Sequence, residues 1–600
     1  MRISSQRITE SKSDSENQQI SLYTPLNPTN DHQQEETNSS YWRFTKNDFF
    51  PEPSFQTFTS YTSALSQTLY RFRDRFFGRS SDANELIELK KQSENEMSKC
   101  LTWVDLVWLG FGSVVGSGIF TITGLEARDD AGPAIVLSYA VSGLSALFSV
   151  FCYTEFAVEI PVAGGSFSYL RVELGDFVAF IAAGNLILEA VVGTAGLARS
   201  FSSYLASMFS SNPDLFRIQV DSFAEGFNLL DPVAVLILYI ASMVAMRGTK
   251  LTSFSNMILS IISSLVIIFI IVVGFIHGNT SNLEPFFPYG AEGVFKAAAV
   301  VYWSYAGFDL VANMAEETRN PARDIPLGLV GSMSLISAVY CLMALALPMM
   351  VKYTEIDRDA AFSVAFEKIG MKWAKYVVSL CALKGMFTCM MITSMGQARY
   401  TTQIARSHMI PPWFALVHPK TGTPIYATLL VTITSCTVAL FSSLDVLSSL
   451  LSLSTLFIFI LMAIALLVRR YYVKDTTSKY DMTKFMACLF VIIGSCIGLT
   501  ALWGAKRKGW IGYVVAGGLF FAGTIGMALL PKQRVPKKWG VPLVPWFPAL
   551  SILMNMFLIG SLGSMAFVRF FICSGAMLVY YLLIGVHATY DFAHQGSAKT

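Results

Sequence analysis

The sequence predicts an all-α polytopic membrane protein of about fourteen helices whose first ten form two inverted repeats of five, and three observations carry the prediction. Of its 600 residues, 53% are hydrophobic and 14% charged, with a mean hydropathy of +0.50. The apolar residues arrive in blocks of the roughly 20 residues that cross a hydrocarbon core, not in the stripes of a water-soluble helix. The first and sixth blocks are each interrupted midway by small residues, five blocks apart.

Residues 1–100 read as an N-terminal tail. The first 45 are rich in Ser, Gln, Asn, Thr and Glu and contain no apolar run of signal-peptide length, so a cytosolic, mostly disordered tail is expected. Within it, "TLYRFRDRFFGRS" (68–80) alternates Arg71, Arg73, Arg75 and Arg79 with aromatics, which suits either a helix lying on the anionic inner leaflet or a solvated one. The first repeat, 101–276, holds spans at 102–127, 133–158, 176–205, 232–247 and 251–276. The second, 277–470, holds spans at 293–314, 326–351, 374–398, 426–443 and 446–468. Residues 471–590 add helices at 485–504, 510–530, 547–562 and 566–587, and 591–600 form a C-terminal tail. Lys and Arg in short loops set the orientation. The segments 468–484 and 531–540 are basic, whereas 277–290 and 441–449 carry no Lys or Arg. Both termini are therefore expected in the cytosol, although "AKRKG" (505–509) and the mixed segment 352–375 run against the rule.

Composition also excludes several functions. A net charge of +3, without a basic stripe of the nucleic-acid-binding kind, predicts no nucleic acid partner. The nine cysteines fall in or beside spans, which argues against a disulfide framework. The six histidines are scattered over span ends, loops and termini, so neither a metal site nor a cofactor is expected. No Ser/His/Asp, Cys/His or metal constellation lies on adjoining spans, so the chain is not expected to be an enzyme.

The first interruption is "GSVVGSGIFTITG" (112–124), where Gly112, Gly116, Gly118 and Gly124 stand at positions that Leu would make more helical. Alone, a pair such as Gly112 and Gly116 is what two closely packed membrane helices need. The second interruption is Ala306-Gly307, beside Asp309, in "VYWSYAGFDLVANMAEETRNPARDIP" (301–326). Matched breaks in two halves of a membrane protein point to a carrier with its binding site near the midplane. An unwound turn exposes the N–H groups of one half-helix and the carbonyls of the other, which together suit the carboxylate and ammonium of an α-amino acid.

Five ordered stretches carry a resemblance: "GSVVGSGIF" (112–120), "EFAVEIPVAGGSFSYLRVELG" (155–175), "NLILEAVVGTAGLAR" (185–199), "SYAGFDLVANMAEETRNPARDIPLGLVGSM" (304–333) and "GQARYTTQIARSHMIPPWFALVHPKTGTP" (396–424). Together they resemble the amino acid-polyamine-organocation (APC) superfamily, and more narrowly the plant cationic amino acid transporters, from about residue 50 to 590. The resemblance implies a 5+5 inverted-repeat (LeuT-like) transporter core and a small-molecule amino acid substrate. It also implies that the substrate carboxylate lies on the N–H groups of Ser117, Gly118 and Ile119. The α-amino group would then meet carbonyls of Val114, Val115, Trp303, Ser304 and Ala306.

Charged groups within the spans are the candidates for specificity, because a carboxylate at that depth costs several kcal/mol unless paired, protonated or facing a wet cavity. Glu189 and Asp309 each either satisfy a neighbouring helix or face the substrate. Glu189 matches the family's third-helix glutamate, which implies recognition of Lys, Arg or ornithine side chains. Glu155 either pairs with Arg171 or a nearby loop base, or takes part in gating. Glu317 and Arg323, in the mixed-charge run 316–324, suit a weakly salt-bridged inner gate. The chain departs from its proton-coupled relatives in the fifth span, which carries Ser260, Ser263 and Ser264 but no ionisable group. Instead Lys384 stands in the eighth span. It either snorkels or pairs with an acid such as Glu189, or it places an ammonium against carbonyls of the first break, such as Gly112 and Val115, where it can exchange a coupling proton.

The expected function is secondary active transport of cationic L-amino acids, driven by protons or by membrane potential. The plasma membrane is the expected location and the vacuolar membrane the alternative. Large neutral amino acids or glutamine are the alternative substrates, and a sensor on the same fold or a passive channel are the rival classes. The sequence specifies no oligomeric state.

Overall fold

The structure, a computed structural model, describes residues 49–77, 101–115, 118–160, 165–209, 214–222, 227–246, 252–312, 318–418, 423–474, 476–505 and 509–597. Two short helices, α1 (Phe58–Ser66) and α2 (Thr68–Phe77), precede the membrane core. The first crossing is split into α3 (Trp103–Val114) and α4 (Gly118–Glu126). It begins where the Asp105 carboxylate accepts the Thr102 N–H at 2.9 Å, so the first turn is capped. There follow α5 (Ile135–Glu159), a connecting helix α6 (Gly165–Glu173), α7 (Asp176–Phe209), α8 (Pro232–Met246) and α9 (Thr252–His277).

The second half repeats the plan. Its split crossing is α10 (Gly290–Val301), a 3-10 turn at Tyr302–Tyr305 and α11 (Asp309–Ala312). Next come α12 (Pro321–Met350), a short outer helix α13 (Ala361–Lys368), α14 (Lys372–Arg406), α15 (Ile425–Phe441) and α16 (Leu444–Tyr471). The remaining helices are α17 (Lys479–Gly504), α18 (Trp510–Ala528), α19 (Trp546–Ser561), α20 (Ser564–Tyr580) and α21 (Val586–Ser597). Among the described residues, eight helical stretches are long and apolar enough to cross a membrane, and five shorter apolar helices accompany them. The chain is thus an all-α polytopic membrane protein. Eight cysteines among the described residues are free.

Every predicted span meets a helix, and the largest differences lie at the ends. The seventh starts at Pro321 and not at 326, because Pro321 occupies the first helical position, where a missing N–H costs nothing, and Asp324 accepts the Asn320 N–H at 3.2 Å. The eighth runs on to Arg406, eight residues past the apolar block, because its polar end is buried by protein and not by lipid, Thr401 and Thr402 included. Helices α6 and α13 were not expected, being too short and too mixed in composition to stand out.

The packing is matched between the halves. Helix α5 packs on α12, α7 on α14 and α8 on α15. Helix α3 meets α12 while α10 meets α5, and α7 meets α15 while α14 meets α8. Each contact recurs with the two halves exchanged, as a pseudo-two-fold relation requires. Helix α19 covers α5 and α16 from outside this core.

Within the N-terminal segment, 58–66 and 68–77 are helical, and one face of α2 packs on protein, a partner that the reading of 68–80 did not include. Arg71 pairs with Asp591 of α21 at 3.1 Å and lies over the Tyr590 ring, and Arg75 reaches Asp176 at the start of α7 at 3.4 Å. Phe72 packs edge-on against Phe177, and Phe49 stacks on Trp413 beyond α14. Arg73 alone of these described bases is exposed, and Arg79 lies outside the described residues. Arg71→Ala is expected to cost about 1–3 kcal/mol, because it leaves Asp591 buried without its cation. Amide hydrogen exchange in 58–77 should accelerate; unchanged exchange would show that the pair holds nothing.

Candidate functional site

The two broken crossings meet in the middle of the core. Helix α3 stops at Val114; Val115 is extended (φ −77°, ψ 129°), its N–H bonded to the Phe111 carbonyl at 2.8 Å. In the sixth crossing Ala306 is extended (ψ 151°) and Gly307 has φ 108°, a conformation that favours glycine. Both interruptions fall where the small residues placed them. Gly118, the first residue of α4, lies directly on Ser304: a Cβ there would stand 2.3 Å from the Ser304 Cα. Tyr340 of α12 closes the junction, its hydroxyl 2.9 Å from the Val114 carbonyl and 3.1 Å from that of Ser304, so one proton is shared between the two breaks. A further hydroxyl, Thr123, donates to the Ile119 carbonyl.

Beside this junction lies an open cavity between α7, the sixth crossing, α14 and α16. Glu189, Trp303, Ala306 and Asp309 line it, which brings four of the expected site residues together. Glu189 Oε1 accepts from the Thr455 hydroxyl at 2.9 Å, and Asp309 Oδ2 from the Tyr400 hydroxyl at 3.3 Å. No lysine or arginine is among the lining residues. The Trp303 ring lies against α7, within 3.0 Å of where a Cβ on Gly196 would be.

The other expected contacts stand outside this cavity. Val114, Gly118, Ile119 and Ser304 are buried at the junction, and the carbonyls of Val114 and Ser304, assigned to the α-amino group, face Tyr340. Ser117 lies outside the described residues. Val115 lines a second, smaller cavity with Gly112, Ser263, Ser264 and Lys384. The Lys384 ammonium donates to Ser263 Oγ at 3.4 Å and, among the described residues, reaches no carboxylate; Glu189 is not its partner. The structure thus brings Lys384 beside the first break, held by a hydroxyl of α9 and not by the carbonyls of Gly112 or Val115.

At the end of the bundle shared by the C-termini of α5 and α16, Glu155 pairs with Arg470 at 2.7 Å and accepts the Val541 N–H at 2.8 Å. Its partner is therefore the basic segment 468–484 and not Arg171, which pairs with Asp176 at 3.0 Å. Arg469 adds a bond to Glu173 at 2.6 Å. Arg323 is exposed and makes no ion pair among the described residues, and Glu317 lies outside them. Sequence reasoning missed Tyr340, Tyr400, Thr455 and Gln397. The last could have been found from Thr393, Gln397 and Tyr400, a polar stripe at helical spacing along an apolar helix.

Comparison with known proteins bears on this geometry. Residues 101–530 match the family described as "Amino acid permease", and residues 539–589 the one described as "C-terminus of AA_permease". "Cationic amino acid transporter 8, vacuolar" of Arabidopsis thaliana is 69% identical over 93% of this chain and 94% of its own length. "Cationic amino acid transporter 5" of the same plant is 62% identical over 92% and 98%, and "Cationic amino acid transporter 1" is 54% identical over 92% and 93%. A paired set of broken helices, a mid-core cavity with two carboxylates and matches of this extent lead to one assignment: the chain belongs to the amino acid permease family of the APC superfamily, a family of membrane transporters and not of enzymes.

Proposed function

We propose that this permease moves cationic L-amino acids (arginine, lysine and ornithine) as a secondary active transporter, its two repeats, 101–276 and 277–470, rocking about the mid-core site. The observation that carries the reading is a cavity walled by Glu189 and Asp309 with no basic side chain in its lining. Two carboxylates in a low-dielectric cavity are stabilised by a cation and repel an anion, while a neutral side chain leaves them uncompensated. The names printed for the relatives at 54–69% identity support the same substrate class. The N–H groups of Ser117 to Ile119 would take the α-carboxylate, and the carbonyls of both breaks would take the α-amino group once Tyr340 releases those of Val114 and Ser304.

For location, the sequence put the plasma membrane first; the relative named as vacuolar favours the vacuolar membrane, which a fluorescent fusion imaged against markers of both membranes would decide. Glu155–Arg470, together with Glu317 and Arg323 of the mixed-charge run 316–324, would form the gate at the cytosolic end. Lys384 would carry the coupling proton. Uptake of a panel of amino acids, competed against labelled arginine at two pH values, tests the substrate class: efficient competition by leucine or glutamine and none by lysine would overturn it. Within that class Glu189→Gln is expected to lower arginine and lysine uptake about tenfold more than uptake of any neutral substrate, because a desolvated charge pair outweighs a neutral hydrogen bond. Equal losses would make Glu189 a structural partner of Thr455.

A further inference from the structure

The assignment of the cavity as a cationic amino acid site leaves one of its walls without a role. Gln397 stands on α14 three residues before Tyr400, whose hydroxyl bonds Asp309, and both line the cavity with Glu189. It is 5% exposed, and its Nε2 is shut off from water. Among the described residues the amide makes no hydrogen bond. Buried side-chain amides almost always have partners, and one without a partner in a cavity wall is placed for a ligand. Thr401 Oγ1, four residues on, is also buried without a partner among the described residues but lies outside the cavity lining, whereas Thr402 is satisfied by the Ala398 carbonyl at 2.7 Å.

We propose that Gln397 is the residue that selects guanidinium over ammonium side chains in this cavity. A guanidinium is a rigid plane with five N–H donors and no acceptor, whereas an ammonium concentrates three donors at a point. Glu189 approaches from α7 and Asp309 from the sixth crossing, and each already spends one oxygen on a hydroxyl, Thr455 and Tyr400 respectively. Two carboxylates neutralise a compact ammonium. A planar guanidinium between them still presents N–H groups towards α14, where Gln397 stands. Since no hydrogen bond holds either end of the amide, its oxygen is free to turn into the cavity and accept from the guanidinium. Thr393, one turn earlier on the same face, leaves room for the plane because it is short.

The test follows from the missing partner. Removing an amide that the fold does not use should not weaken the fold, so Gln397→Leu is expected to express normally and melt at or above the wild-type temperature. Its KM for arginine should rise about tenfold, the discrimination a lost hydrogen bond to a charged group gives, while KM for lysine changes less than about twofold. Gln397→Glu, which keeps an acceptor at the same reach, should retain tight arginine uptake. Should the leucine variant misfold, Gln397→Met replaces it, with the rise in melting temperature of the purified protein on adding arginine or lysine as the readout. Unchanged KM for both substrates, or an equal rise for both, overturns the proposal: the first leaves the amide idle, the second reports only cavity shape. Wild-type protein that takes up neither arginine nor lysine saturably overturns the cationic reading itself, and is recognised before any variant is made.

Discussion

Gly118→Ala is expected to stop uptake almost completely, by about 100-fold or more, while the protein still inserts into the membrane. A methyl group at that position would stand 2.3 Å from the Ser304 Cα and 2.6 Å from its Cβ. Carbon atoms in contact sit about 3.5–4.0 Å apart, so one of the two breaks must retreat by more than about 1 Å. The obstacle is the backbone of a 3-10 turn, which has no rotamer to change. A shift of that size in a site built on position is worth about two orders of magnitude. It would also pull the Val114 and Ser304 carbonyls away from the single Tyr340 hydroxyl that joins them. Hydrophobicity rises slightly, so insertion should survive. Gly498→Ala, whose nearest neighbour would be an Ala516 Cβ at 3.9 Å, is the matched control and should transport as the wild type does. Arginine uptake normalised to protein in the membrane distinguishes the two, and normal transport by the alanine variant at 118 would show that the breaks do not touch during the cycle. The family resemblance pointed to Gly118 because its N–H is expected to hold the substrate carboxylate. The structure gives a second and harder reason, the contact with the other repeat.

That difference shows what kind of information the chain displays. Lipid leaves a helix no alternative partner for its backbone, so an interruption by Gly116 to Gly118 or by Ala306-Gly307 is legible from residues alone. Glu189 and Asp309 were legible for the same reason: charge in hydrocarbon demands a cavity or a counter-ion. Tyr340 and Tyr400 were not, because a tyrosine in a membrane helix faces lipid, packing or ligand according to the rotation of the helix, which periodicity does not give in an environment apolar on every side. Pairings over long separations were invisible too. Glu155 meets Arg470 across 315 residues, and Arg71 meets Asp591 across 520. A local reading therefore offered Glu155 either Arg171 or an unnamed loop base, and Arg71 either a membrane surface or solvent, without naming the distant partners. The polar stripe of α14 is present in the sequence, but Gln397 gains meaning only with Asp309 and Glu189 on the opposite walls.

Lys384→Met is expected to abolish concentrative, pH-dependent uptake while leaving exchange of substrate across the membrane. The ammonium lies in a small cavity between the last turn of α3, with Gly112 and Val115, and the Ser263 and Ser264 face of α9. The C-terminal end of α3 carries the negative end of its helix dipole there, so a positive charge supplied by α14 would favour keeping the first break beside the eighth crossing. Among the described residues the charge has a hydroxyl partner at 3.4 Å and no carboxylate, so nothing else in its surroundings neutralises it. On the proposed reading, a proton bound at this nitrogen would favour the closed junction of α3 and α14, and its release would free α3 to move. Binding and release on opposite sides of the membrane would tie the rocking of the repeats to a proton gradient. Methionine keeps the length and much of the volume, which preserves packing, but cannot carry the charge. Lys384→Arg keeps the charge but does not release the proton, and should lose the pH dependence as well. The measurement is the accumulation ratio of labelled arginine in proteoliposomes with and without an imposed pH gradient, beside counterflow in the absence of a gradient. Counterflow that persists while accumulation vanishes places coupling at Lys384. A methionine variant that still concentrates arginine with the wild-type response to pH puts the coupling site elsewhere and leaves Lys384 as a structural tie between α14 and α9.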